Sequence, residues 1–232
     1  TVQQRARKPE TSPSQPLFIP AHGAIERRRG LVLPYSLKRV GRGYGKRRRG
    51  KRKHPALDIY GVGQYRGLGT PIRSMVRSTV TMIARPEDDP QKFGIPDRGA
   101  GTVVRTGQVL PRSLRLPGYG RVFFFTKNHG KWRTGTMVVT RGLEGRLKDH
   151  TIRYMHLGAV HPKLKVGDVL EPGQELGVMG STAIMESWPH LHLDIEDPRC
   201  RRVDVAWLLG LGPKHPPCPT RKKWRKRLEE RR

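Results

Sequence analysis

The chain has 232 residues, of which 47 are Lys or Arg and 19 are Asp or Glu, so its formal net charge is +28 at pH 7. This length suits one domain with a single hydrophobic core. With 34% hydrophobic residues, 27 Gly and 20 Pro, the composition favours a turn-rich, mainly β fold and argues against a helical bundle. The apolar runs fall short of the roughly 18 residues that a membrane span needs, so no transmembrane helix is predicted.

The positive charge is concentrated outside the middle of the chain. Residues 26–53 hold thirteen Lys or Arg and one acid, and residues 220–232 hold eight Lys or Arg and two acids. Such basic segments attract polyanions, which include nucleic acids and acidic envelope polymers. The run KRRRGKRK at residues 46–53 is typical of nucleic-acid-binding arms, although the sequence has neither the aromatic pattern of an RNA-binding module nor zinc-finger spacing. Charge therefore leaves both classes of partner open.

The chain divides by composition into a central region and two basic ends. Residues 1–45 are predicted to form a basic, Pro- and Gly-rich N-terminal arm, and residues 213–232 a basic C-terminal tail with amphipathic helical character. Residues 46–212 are predicted to form the domain, as an antiparallel sheet that forms a groove, with flanking loops and few short helices. The apolar runs that predict its strands are LDIYGVG, TPIRSMV, STVTMIA, RVFFFT, TMVVT, TIRYMHL, VLEPGQELGVMG and HLHLDIE.

One segment of this domain, at about residues 85–133, lacks sustained alternation. We expect a long insertion with one hairpin, GTVVRTGQVL. Loops of such length are uncommon inside compact domains and are often functional. Further on, VDVAWLLGLG at residues 203–212 is expected to form one short helix or turn.

Two histidines lie two residues apart in the run PHLHLDIE at residues 189–196. Residues i and i+2 of a strand point to the same face, so His190 and His192 are predicted to lie side by side, with Leu191 and Leu193 on the core face. A pair of solvent-exposed strand histidines is the alternative.

Two other segments carry further candidate metal ligands. KHPALDIYG offers His54 and Asp58 at a four-residue separation, and TIRYMHLGAV places His156 at the end of an apolar strand. His54, Asp58 and one of the paired histidines would supply three ligands of the nitrogen and oxygen types that zinc accepts, and catalytic zinc sites keep a fourth position for water. Taken singly, each motif also fits a chance spacing or a structural histidine.

Taken in order, these motifs resemble those of the lysostaphin-type, LytM-like zinc metallopeptidases. KHPALDIYG resembles the H-x-x-x-D segment of that family, GTPIRSMV its G-T-P-V strand and TIRYMHLGAV its Y-x-H-L strand. LKVGDVLEPGQELGVMGSTA resembles the stretch V-x-x-G-x-x-V-x-x-G-Q-x-I-G-x-x-G-x-T, WPHLHLDI resembles H-L-H-F-E-I, and VDVAWLL resembles V-D-P-x-x-x-L. The resemblance covers roughly residues 50–210.

The resemblance implies an endopeptidase of peptidoglycan with one zinc ion. It implies His54, Asp58 and His192 as metal ligands and His156 and His190 as the catalytic pair. A metal-activated water would hydrolyse peptide bonds of cross-links or stem peptides; one catalytic histidine would take a proton, and the other would stabilise the oxyanion or protonate the leaving amine. The sequence leaves open which histidine does which. The histidines that match no motif are predicted to be surface or structural residues: His22, His129, His150, His161 and His215.

The sequence departs from the family pattern around these residues. Pro55, Ala56 and Leu57 replace the usual small or Gly-containing spacer, Asp194 stands where Glu is usual, and the insertion at about residues 85–133 lengthens the domain. The first two changes leave the ligands in place. The insertion is expected to reshape the groove, so the bond that is cut stays open.

We further expect an exported protein, whether periplasmic, envelope-bound or secreted, that is monomeric and whose signal sequence is not in this chain. Its partner would be peptidoglycan or another anionic envelope polymer, with nucleic acid bound only non-specifically. A catalytically silent wall-binding or regulatory relative and a basic nucleic-acid-binding protein are the alternatives. Cys200 and Cys218 are the only cysteines, which excludes a four-cysteine zinc site and leaves one disulfide or two free thiols.

Overall fold

The computed structural model describes residues 25–40, 54, 56–105, 107–126, 134–184 and 187–211. Within these residues the fold is mainly β with very few helical segments, which confirms the predicted fold class. The strands are β1 (Arg27–Arg28), β2 (Leu31–Val32), β3 (Leu57–Tyr60), β4 (Pro71–Arg73), β5 (Ser78–Ala84), β6 (Thr102–Arg105), β7 (Gln108–Pro111), β8 (Ser113–Leu116), β9 (Gly120–Phe123), β10 (Thr136–Gly142), β11 (Thr151–Val160), β12 (Val169–Leu170), β13 (Glu175–Met179) and β14 (His190–Glu196). The helices are α1 (Pro90–Phe93) and α2 (Val205–Leu208), with 3-10 turns at Gln64–Gly67 and Gly145–Leu147.

Eight of these strands form one antiparallel sheet. Six follow the order β12, β5, β10, β11, β13, β4, and β14 and β3 branch from β11 as a second edge. The branch arises because residues 151–155 of β11 pair with β14, whereas residues 157–160 pair with β13. His156 lies at the point where the two partners diverge.

The main hydrophobic core lies against the apolar face of β14. Leu191, Leu193 and Ile195 are fully buried in it, as the alternation of the sequence predicts. Tyr154 of β11 is also fully buried, and its hydroxyl accepts a hydrogen bond from the Met75 N–H at 3.1 Å. The opposite face of β14 therefore carries its buried polar side chains.

Part of the basic segment that precedes the predicted domain also contacts it. Leu31 and Leu33 are buried in the main core, and the Tyr60 N–H donates a hydrogen bond to the Arg39 carbonyl at 2.9 Å. These contacts fix residues 31–39 beside β3. The domain boundaries at residues 45 and 212 stay predictions.

The insertion contains two hairpins. The first, β6–β7, is the hairpin predicted from GTVVRTGQVL, and the second is β8–β9. A separate apolar cluster attaches them to the sheet: Leu68, Leu110, Leu116, Val122, Phe124, Phe125 and Val178. The insertion is thus a packed structure at the side of the sheet.

In the described part of the chain, no helix has the length and hydropathy that a membrane span requires.

Candidate metal and catalytic site

The pairing of β3 with β14 brings two of the predicted ligands together. Asp58 and His192 are direct cross-strand partners, so their side chains lie on the same face of the sheet. Asp58 Oδ1 lies 2.8 Å from His192 Nδ1. His54, four residues before Asp58 in the chain, places its Nε2 3.2 Å from the same oxygen.

The three side chains form a donor set that fits a metal ion. Their ligand atoms all lie within 4.8 Å of one another, and all three residues are buried. Both ring nitrogens of His54 are buried without an aligned hydrogen-bond partner, although Nε2 lies 3.2 Å from Asp58 Oδ1. This is unusual, because buried polar atoms are normally paired. An ion bound at one of these nitrogens would satisfy it. Two imidazoles and one carboxylate are the donor chemistry that zinc accepts.

The charge state of Asp58 also suits a ligand. Burial raises the pKa of this carboxyl, but the adjacent His192 and His54 rings and the nearby His190 lower it by more, so its net pKa lies below the ordinary value. Asp58 is therefore ionised at neutral pH. Metal binding requires this form.

His156 reaches the cluster through a β-bulge. The register of β10 against β11 shifts between Thr136 and Met137, and His156 has a φ of 65°, a left-handed conformation that residues other than Gly rarely adopt. Its Nδ1–H donates to the Thr182 carbonyl at 2.9 Å. Because a carbonyl can only accept, the neutral ring carries its lone pair on Nε2. Burial, and then the adjacent His190 and His192, hold the pKa of His156 well below its usual value.

His190 is oriented in the same way by a second carbonyl. Its Nδ1–H donates to the Trp188 carbonyl at 2.7 Å, and its Nε2 lies 3.6 Å from Asp58 Oδ1. Burial lowers the pKa of His190, although Asp58 and the Trp188 carbonyl partly offset this effect. The His156 and His190 ring centroids are 5.1 Å apart.

The structure therefore brings all five predicted site residues into one cluster. The ligand atoms of His156, His190 and His192 also lie within 4.8 Å of one another, so these three form a second group that could hold a metal. The two groups share His192. The assignment of individual residues to metal binding or to catalysis stays a prediction.

The remaining predicted side chains lie away from the cluster or outside the described residues. His150 Nδ1 donates to the Lys148 carbonyl, and His161 contacts the Tyr119 ring. Outside the described residues lie His22, His129, His215, Cys218 and the KRRRGKRK segment; Cys200 is exposed.

Four side chains near the cluster were not singled out from the sequence. The guanidinium carbons of Arg39 and Arg66 lie 4.3 Å and 3.7 Å from the centroid of the Trp188 ring. The Tyr60 ring contacts His190 edge-on with centroids 5.3 Å apart. Trp188 lies in a motif that the sequence offers, but Arg39 and Arg66 come from separate segments without a recognisable spacing.

Comparison of the chain with protein-family models and with curated protein sequences gives no match. Among solved structures, the catalytic domain of the antimicrobial peptidase lysostaphin from Staphylococcus simulans is 21% identical, with a TM-score of 0.42 and coverage of 74% of this chain and 92% of that one. LytU is 17% identical, with a TM-score of 0.45 and coverage of 75% and 86%. A zinc-containing peptidase from Vibrio cholerae is 15% identical, with a TM-score of 0.46 and coverage of 83% and 41%. The chain is thus similar in structure to the catalytic domain of lysostaphin, to LytU and to this zinc-containing peptidase.

Proposed function

We propose that this chain is a zinc-dependent endopeptidase that hydrolyses peptide bonds of peptidoglycan cross-links or stem peptides. The observation that carries the proposal is the combination of a buried carboxylate–imidazole donor set with two further buried histidines whose Nδ1–H groups are fixed by carbonyls. A structural metal site would have no use for that second pair.

In this proposal His54, Asp58 and His192 hold one zinc ion. The ionised Asp58 supplies a negative charge to a site whose other two proposed ligands are imidazoles. When bound, zinc would supply Lewis-acid polarisation of a carbonyl and lower the pKa of water. The orphaned nitrogens of His54 support its place in this set.

His156 and His190 handle the protons. Each ring has its Nδ1–H engaged with a carbonyl, so the site of proton exchange is Nε2. A proton is accepted at Nε2 from the attacking water and is then given up to the leaving amine. Burial lowers the pKa of both rings, which favours release of that proton in the second half of the reaction. A ring protonated at Nε2 can also donate a hydrogen bond to the developing oxyanion.

The charge of the chain suits an anionic envelope polymer. A net charge of +28 raises the local concentration of the protein at a surface rich in carboxylate and phosphate, and salt screens this attraction. The proposed place of action is accordingly the cell envelope or its exterior. Nucleic acid would bind through the same charge without sequence preference.

The experiment is mass spectrometry of fragments released from purified peptidoglycan, with and without a zinc chelator. The proposal predicts fragments with new peptide termini from the untreated protein, almost none after chelation, and restoration by added zinc. For variants of the cluster histidines, a His161→Ala protein is the matched control, since this histidine lies outside the cluster. Zinc-loaded protein that binds wall but releases no fragments from several wall types would favour the catalytically silent alternative.

A further inference from the structure

Two arginines beside the cluster have no carboxylate partner in the part of the chain that the structure describes. Arg39 and Arg66 both lie against the ring of Trp188. We call these three side chains the arginine–tryptophan patch. Among the described residues, no Asp or Glu oxygen lies within ion-pair distance of either guanidinium; Arg66 Nε donates to the amide oxygen of Gln108 on β7. Other arginines near the sheet do have carboxylate partners, as the pairs Arg153 with Glu196 and Arg77 with Glu171 illustrate.

The patch is connected directly to the proposed catalytic machinery. The carbonyl of Trp188 is the group that accepts from His190 Nδ1–H at 2.7 Å. Arg39 also lies 5.9 Å from the ring centroid of Tyr60, and that ring contacts His190. A substrate group held at this patch would lie close to the bond that is presented to His190.

The backbone that carries Arg66 is strained in a way that fixes its position. Tyr65 and Arg66 have φ values of 49° and 56°, and such conformations are unfavourable for residues other than Gly and persist where the surroundings over-determine them. Gly61 makes this turn feasible, because an added Cβ would lie 1.7 Å from the Arg66 carbonyl oxygen. The β6–β7 hairpin then contacts the turn through Gln108. Strain of this kind is characteristic of residues held for a function.

The chemistry of the patch selects a particular class of ligand. A guanidinium stacked on an aromatic ring keeps its edge available for planar, two-point hydrogen bonding to a carboxylate. Two like charges beside one ring repel each other, and an anion between or beside them would relieve that repulsion. A peptide carboxylate fits both requirements.

We infer that the arginine–tryptophan patch is a substrate subsite that binds a free carboxylate of the peptide being cut. This inference rests on the proposed peptidase function. It specifies the substrate as a peptide with an ionised carboxyl group near the cleaved bond, and it gives the insertion a role, since Gln108 of β7 positions Arg66.

The test uses one preparation of soluble disaccharide–peptide fragments divided in two. One half keeps its free carboxylates, and in the other half carbodiimide and ammonium chloride convert them into carboxamides. Isothermal titration calorimetry measures the binding of each half to the wild-type chain, and liquid chromatography measures cleavage. Arg66→Gln and the exposed Arg39→Gln are the test variants. Arg115→Gln on β8 is the control, because it removes the same charge from an exposed position outside the patch.

The inference predicts that the wild type binds the carboxylate form about tenfold or more tightly than the carboxamide form, which is the scale of a charge-assisted hydrogen bond. In either test variant the affinities for the two forms should differ by no more than about threefold, because the charge-assisted contact is lost. The Arg115→Gln variant should keep the preference for the carboxylate form. Cleavage of both forms at equal rates with equal affinities would overturn the subsite and leave the peptidase standing. Preferential binding without cleavage of either form would instead retain the subsite and overturn the proposed function.

Discussion

The histidine cluster and the arginine–tryptophan patch lie side by side, yet they are built in different ways. The cluster is carried mainly by paired strands, where the register of β3 and β14 sets Asp58 opposite His192. The patch is assembled from a loop before β3, a strained turn after it and the segment that leads into β14. Strand positions recur as a pattern in the sequence, and loop positions do not. The difference teaches that the side chains of the proposed metal and catalytic site can be found from ordered sequence motifs, whereas the groups that would select a substrate need the folded chain.

The largest effect should come from removing a predicted metal ligand of the histidine cluster. The His54→Ala variant should lose bound zinc from about one ion per chain to near none, because a three-ligand site reduced to two holds zinc poorly. Elemental analysis of protein passed through a desalting column measures the ion. Circular dichroism of the same sample serves as the control for folding. Full zinc retention in a folded variant would contradict the role of His54.

Removal of a proposed catalytic histidine should separate chemistry from metal binding. The His190→Ala and His156→Ala variants should keep zinc but turn over about 10²- to 10⁴-fold more slowly, the usual contribution of a positioned acid or base. Steady-state cleavage and metal content, measured on the same preparations, test this. Loss of zinc in these variants, with zinc retained in His54→Ala, would assign the metal to the alternative group His156, His190 and His192.

The bulge that positions His156 should be sensitive to one added methyl group. Gly135 has a φ of 61°, and its added Cβ would lie 2.2 Å from Thr182 Oγ1 and 2.7 Å from the Thr182 carbonyl oxygen. That carbonyl orients His156. The Gly135→Ala variant should therefore lose activity and about 2 to 4 kcal/mol of unfolding free energy, from left-handed strain together with overpacking.

Gly118→Ala is the matched control for this change. Gly118 has a φ of 74° but nothing within 4 Å of an added Cβ, so it should lose about 1 kcal/mol and keep activity. Urea unfolding and cleavage rates compare the two variants. Equal losses in both would show that the contact with Thr182 does not position the bulge.

The smallest effect should come from the core below the cluster. Tyr154→Phe removes the hydroxyl that accepts the buried Met75 N–H while the ring keeps its packing. Unfolding free energy should fall by about 1 to 2 kcal/mol, because the amide loses its partner, and cleavage should be almost unchanged. Urea denaturation monitored by fluorescence measures the first quantity. A large loss of activity at full stability would mean that the core and the cluster are coupled more closely than their separate faces of the sheet suggest.

Short-range periodicity predicted most of the strands and the pairing of His190 with His192 on one face, whereas the full set of five clustered side chains was implied by the ordered motifs that resemble the LytM-like family. His190 and His192 share a face through the two-residue repeat of a strand, and the hairpin β6–β7 follows from its turn. The bulge at His156 could not be predicted, since it arises where β11 changes partner from β14 to β13. The position of Arg66 could not be predicted either, because its place beside Trp188 depends on a left-handed turn and on a contact with the insertion.

The central claim is that one zinc ion in this cluster makes the chain a peptidase, and a reconstitution titration tests it most directly. The protein is stripped of metal, and fragment release from peptidoglycan is then measured as zinc is added in fractions of an equivalent. The account predicts almost no release without zinc and a linear rise that levels off at one ion per chain. Full release by the metal-free protein, or tight binding of one zinc without any release, would contradict it.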